Sequence, residues 1–183
     1  MRDSRAAILR FWFEETAPAQ WFQKNDAFDD QIRTRFVGDY DLASAGIYDG
    51  WMDTGEGALA LIIVLDQFPR NMFRGSPQAF ATDAKALQVA RHALDRRFDM
   101  LMPPVKRRFL YLPFEHAETL EDQDRSVALF AAMKKDDPLG HDYALRHRDV
   151  IARFGRFPHR NALLGRTSTP EEVAYLAEPG SGF

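Results

Sequence analysis

The 183 residues contain no cysteine. Disulfides, thiolate metal sites and a cysteine nucleophile are excluded together, and a reducing, cytoplasmic setting is expected. Long apolar runs are missing too. The longest, residues 58–65, has eight residues, far short of the roughly 20 that cross a bilayer as a helix. The opening Met1-Arg2-Asp3-Ser4 carries an acid early, and the apolar stretch behind it is broken by Arg10 and Glu14. That is not the pattern of a secretory leader. Neither sign of charge dominates: 24 Lys and Arg stand against 27 Asp and Glu, so the composition points neither to nucleic acid nor to a charged tail. No phosphate-cradling glycine loop, Gly-x-Ser-x-Gly elbow or dinucleotide fingerprint appears. His-Glu-x-x-His is absent as well, so no tightly bound metal is expected and no cofactor is implied.

What is present is helical periodicity, with no segment alternating as a strand over more than a few residues. The expected fold is all-α, a single domain over residues 1–183 with at least seven helices packed as antiparallel hairpins. A first helix over residues 4–14 takes Ser4 as its cap, and Pro18 starts a short element. A long helix begins near Asn25 or Asp26 and passes Gly38. Thr54 caps a helix over residues 57–67 that is apolar on all sides and therefore buried; Phe68-Pro69 is expected to end it. Further helices are expected over residues 79–96, from Pro103-Pro104 to Tyr111 with a kink or break at Pro113, over 121–135 and over 142–154. Asp137-Pro138 with Gly140 reads as a turn. The last helix has the clearest start: Thr169 as cap, Pro170 at the first helical position and Glu172 completing a capping box. Ile62, Ile63, Phe109, Leu112, Val150, Ile151 and Phe154 are the expected core.

Three stretches concentrate unusual side chains. Residues 141–166 hold three of the five histidines and six arginines against two acids, and the turn Arg156-Phe157-Pro158-His159-Arg160-Asn161 is rich in donors. Such a turn suits an anion, or arginines paired with the chain's own acids. Arginine outnumbers lysine 19 to 5. Codon bias accounts for most of that excess, but Arg is also the side chain that grips carboxylate or phosphate bidentately. His147 shares a helical face with Val150, Ile151 and Phe154 and should point inward. In the second stretch, Glu115, His116 and Glu118 lie beside Pro113 and are candidates for acid–base work, or for a hydrogen-bonded core histidine. The third is Asp66-Gln67-Phe68-Pro69-Arg70-Asn71. A carboxylate at the C-terminal end of an apolar helix is badly placed for the helix dipole and calls for a cation, with Arg70 nearest.

These stretches resemble domain-of-unknown-function family 924, as do Leu9-Arg10-Phe11-Trp12-Phe13 and Trp21-Phe22. The motifs that carry the resemblance are residues 66–75, 111–118 and 153–161, and the match covers nearly the whole chain in order. The resemblance implies a bacterial protein with an all-α, tetratricopeptide-like fold, and implies no activity. Two function classes follow. In the first, a binder or enzyme of a small carboxylate or phosphate uses Asp66, Glu115 and His116 as catalytic candidates. Its binding candidates are Arg70, Asn71, Arg153, Arg156, His159, Arg160 and Asn161. In the second, the chain is a helical protein-interaction module with a protein or peptide partner.

Overall fold

The computed structural model describes residues 3–182. Met1 and Arg2, on which the leader argument begins, lie outside the described residues. Among the described residues there are helices and turns and no strand. The chain divides into two compact units, Met1–Pro113 and Phe114–Phe183.

In the first unit, α1 (Ser4–Arg10) runs into a π-turn over Phe11–Glu15. Asp3, rather than Ser4, caps it: its Oδ1 accepts the backbone N–H groups of Arg5 and Ala6 at 3.1 and 3.3 Å. A carboxylate one residue earlier reaches those orphan donors, whereas Ser4 already lies inside the helix. Thr16 closes the π-turn by donating its hydroxyl to the Phe11 carbonyl at 2.8 Å. The long helix α2 (Asp26–Ser44) starts where expected, near Asn25 or Asp26, and Asn25 caps it.

α3 (Gly55–Ile62) starts at Thr54, and the apolar run behind it is wholly buried, residues 59–65 having no exposed surface. The expected stop at Phe68-Pro69 does not occur. The helix widens to a π-turn over Ile63–Gln67 and continues as α4 (Phe68–Met72). The physical reason lies in Pro69, which lacks the N–H that would bond the Leu65 carbonyl. Widening moves the Phe68 N–H onto the Ile63 carbonyl, and Thr82 donates its hydroxyl to the Leu65 carbonyl at 2.5 Å. The orphaned acceptor is thus satisfied from outside the helix. α5 (Asp83–Asp95) is shorter than expected because residues 77–80 form a 3₁₀ turn before it. Phe11, Trp12, Phe36, Phe68 and Phe109 fill the core of this unit, with Trp12 edge-on to Phe68 and Phe109 at 5.7 Å from each.

α6 (Pro104–Glu115) continues through Pro113, so of the kink or break expected from sequence the break does not occur. Only two residues follow the proline in the helix, so one lost hydrogen bond near the end is tolerated.

In the second unit, the carbonyls left open where α6 ends are taken up by Gln123, whose Nε2 donates to Glu115 and Ala117 at 2.7 and 2.8 Å. Gln123 lies on α7 (Leu120–Ala132), which pairs with α8 (Pro138–Phe154). The Arg148–Asp124 ion pair (2.8 Å) and the close approach of Gly140 to Phe130 fix an antiparallel register that sets Gln123 across from His147. A Cβ on Gly140 would fall 2.8 Å from the Phe130 ring. α8 begins at Pro138, four residues before the expected start, because Asp137 is a helix cap and not part of a turn: its Oδ1 accepts the Gly140 N–H at 2.8 Å. α8 ends at Gly155, whose φ of 69° suits a residue without a side chain. Val150, Ile151 and Phe157 are buried together, while Phe154 is only half-buried against Tyr175. α9 (Pro170–Leu176) carries the expected capping box, Thr169 and Glu172 exchanging bonds of 2.7 and 3.2 Å.

The Pro69 bypass predicts that Thr82→Val, which leaves the Leu65 carbonyl buried without a donor, costs about 1–3 kcal/mol in urea unfolding. An unchanged midpoint would show that the helix carries Pro69 without help.

Candidate functional site

The Asp66–Asn71 motif folds onto its own unit. Asp66 has no exposed surface. Arg70 Nη1 lies 3.3 Å from Asp66 Oδ1 and donates to the Asp66 carbonyl at 2.7 Å. The same guanidinium grips Asp83 bidentately at 2.8 and 2.9 Å. Burial works against the charge on Arg70, but Asp66 and then Asp83 outweigh it and hold the group firmly protonated. Gln67 donates to Asp66 Oδ2 at 2.5 Å. Asn71 and Arg74 converge on the buried Asp29 of α2, Asn71 at 2.7 Å and Arg74 at 2.7 and 3.0 Å. Asp66, Arg70 and Asn71 are therefore brought together as a clasp tying α4 to α5 and α2. The cation that the Asp66 placement calls for is Arg70, as sequence indicates.

In the second unit the Glu115–Glu118 motif and the basic turn meet. Two carboxylate–guanidinium clasps hold the turn. In one, Arg156 grips Glu172 at 2.6 and 2.8 Å, and Asn161 donates to the same carboxylate at 3.2 Å. Glu172 also accepts the Thr169 N–H, and Arg156 ahead of that bond pulls its pKa from 4.5 down to about 2. In the other, Arg166 grips Glu118 at 2.7 and 3.0 Å. Glu118 Oε1 accepts the Phe157 N–H at 2.7 Å, and Arg166 donates to Asn161 Oδ1 at 3.0 Å, so the two clasps share Asn161. Arg153 stands apart on the outside with Glu171, both about half exposed at 48% and 63%, a pair of little energetic weight.

Inside the clasps lies His147, 5% exposed. Its Nδ1 approaches the Tyr143 carbonyl at 2.8 Å and Glu115 Oε1 at 3.5 Å, so Nδ1 carries the hydrogen. Its ring meets the Phe157 ring edge-on at 5.6 Å and lies 6.4 Å from His116. Phe157 also carries His159 at 5.6 Å and the Arg160 guanidinium 4.5 Å from its centroid. Burial lowers the His147 pKa from 6.5 to about 3; the Tyr143 carbonyl opposes this, and His116, Arg160 and His159 add to it. His147 is thus a neutral imidazole at physiological pH, unable to serve as a general acid there. Among the described residues no three His, Asp or Glu are placed to hold a metal ion.

Sequence places His147 inward but not at the centre of a site, and marks Glu172 only as a helix cap. Asp29 and Asp83 carry no local signal: each is an ordinary acid of a first helical turn whose partner lies 13 to 45 residues away.

The His147 environment fixes a pH dependence. A base whose folded pKa is depressed leaves the native state with fewer bound protons than the unfolded chain between pH 6.5 and about 3. Stability is full above that window and falls through it by about 1.4 kcal/mol per pH unit from this group. His147→Phe should flatten the slope between pH 6 and 5 in denaturant melts. An equal slope in the variant would mean that His147 is protonated in the folded protein.

Residues 8–180 match the model of the family described as bacterial protein of unknown function, DUF924. A protein of unknown function from Agrobacterium tumefaciens, ATU0120, is similar in structure at 42% identity, with a TM-score of 0.90 over 94% of this chain and 96% of that one. No curated protein matches. With its helical architecture and motif order in agreement over this span, the chain belongs to the DUF924 family.

Proposed function

We propose that the Phe114–Phe183 unit binds a small carboxylate or phosphate against Phe157, with His116, His159 and Arg160 as the contacting groups. The carrying observation is the convergence of these three basic side chains on His147 and Phe157, where Glu115 brings one carboxylate of its own. Arginine and imidazole donors together suit a planar or tetrahedral oxyanion. The neighbouring arginines have structural roles. Arg156 and Arg166 are occupied by Glu172 and Glu118, and they position the turn instead of contacting a ligand. Arg153 points to solvent and is left out of the site. Asp66, Arg70 and Asn71 serve the other unit's clasp in this reading. Glu115 and His116 remain the candidates for proton transfer, because His147 is held neutral. Among the described residues no helix is long and apolar enough to cross a membrane. Together with the absence of cysteine, this supports placing the binder in the cytoplasm.

A second reading, the tetratricopeptide-like interaction module, draws support from an apolar furrow in Met1–Pro113 lined by Phe98, Leu101 and Met102.

The anion reading is tested by thermal shift with inorganic phosphate and with acetate at constant ionic strength. Wild type, His159→Ala and the control Arg153→Ala are compared. Wild type and control should gain stability as ligand rises, about 2.7 kcal/mol at a hundredfold excess over Kd. His159→Ala should gain much less. A flat response in wild type, or an equal gain in His159→Ala, would contradict the site.

A further inference from the structure

The Met1–Pro113 unit carries an apolar furrow that its clasp does not use. Leu59, Phe98, Leu101, Met102 and Pro103 line a hollow of about 460 Å³ beside Asp53 and Glu56. A second hollow of about 380 Å³, running past Asp3, Arg5 and Leu9, shares Thr54, Gly55 and Glu56 with the first. The two hollows adjoin at these residues and together make a trough at the start of α3. Its outer wall is unusually apolar. Leu101 is 85% exposed, and Met100 and Val105 beside it are 57% and 45% exposed. Single exposed apolar residues need no explanation, but a contiguous run bordering a groove does.

The charge along the trough selects the occupant. Among the described residues, neither Asp53 nor Glu56 has an ion-pair or hydrogen-bonded partner for its carboxylate. Asp53 precedes the Thr54 cap of α3 and Glu56 lies in its first turn, where the helix dipole favours negative charge. Of the cations lining the two hollows, Arg5 lies 3.6 Å from Asp3, and Lys106 lies over the Phe13 ring at 5.6 Å and keeps its charge. Among the described residues, the acids Asp3, Asp53 and Glu56 outnumber the cations Arg5 and Lys106, so the lining is net negative.

We propose that this trough docks an extended peptide segment of a partner protein. An apolar side chain of the segment fills the hollow between Phe98 and Leu101, and a Lys or Arg two residues on lies against Asp53 and Glu56. An apolar anchor confers affinity, and a basic residue facing two carboxylates confers register and selectivity. This site is separate from the anion site, and its failure leaves that reading untouched.

The test uses the full chain and three synthetic probes, acetyl-Phe-Gly-Arg-amide, acetyl-Phe-Gly-Glu-amide and acetyl-Gly-Gly-Arg-amide, followed by amide NMR in the millimolar range. The first peptide should shift resonances of residues 54–59 and 98–106. The acidic and the anchorless peptides should act at least about tenfold more weakly, a difference of about 1.4 kcal/mol. Leu101→Asp and Glu56→Lys change exposed side chains, so the rest of the spectrum should be preserved, and each should abolish the shifts. Absence of shifts with the first peptide, equal shifts with the acidic one, or shifts that survive both substitutions would overturn the proposal.

Discussion

A charge cut off from water needs an opposite charge within a few ångströms, because the desolvation it suffers is otherwise uncompensated. Asp66 states this requirement most sharply. It ends an apolar run with no surface exposed, within the π-turn that joins α3 to α4. Arg70 answers it one turn on, and the same guanidinium carries Asp83. The π-turn that bypasses Pro69 makes this possible, since it allows the chain to stay helical long enough for Arg70 to lie over Asp66. Backbone repair and charge pairing are thus coupled in one short stretch.

The second unit follows the same rule with a different result. Glu172 and Glu118 each take one arginine of the basic stretch, and Asn161 links the pairs. The turn around Phe157 is held rigid by ions that neutralise one another, as helix caps hold their orphan donors. The clasps enclose a further group of side chains around His147. His147 gives up its proton affinity to burial, and His116, His159 and Arg160 stand around it. Structural pairing therefore explains the two clasps that hold the turn.

Much of this was legible in the sequence where the signal is local. Thr169 with Glu172, Thr54 and Asn25 all cap the helices that their side chains suggest, because a cap depends on three or four consecutive residues. The buried character of the apolar run and the inward face of His147 follow from periodicity alone. Local rules failed where a distant residue supplied the missing bond. Pro69 looked like a stop because the Thr82 hydroxyl, 17 residues from Leu65, is invisible to local sequence. Asp137-Pro138 served as a cap rather than a turn, two uses that begin with the same dipeptide. The site partners Asp29 and Asp83 were hidden for the same reason, since ion pairs across 13 to 45 residues leave no periodic trace. The Asp66–Arg70 pair, four residues apart, was legible in the sequence, whereas the pairs across longer separations are visible only in the folded chain.

The claim that these motifs are first of all self-neutralising clasps is tested most directly by a double-mutant cycle on Asp66 and Arg70. Asp66→Asn, Arg70→Met and the double variant are compared in denaturant unfolding. The clasp predicts that the double variant loses less than the sum of the singles, with a coupling energy of about 0.5–3 kcal/mol. Simple additivity of the two losses would contradict it.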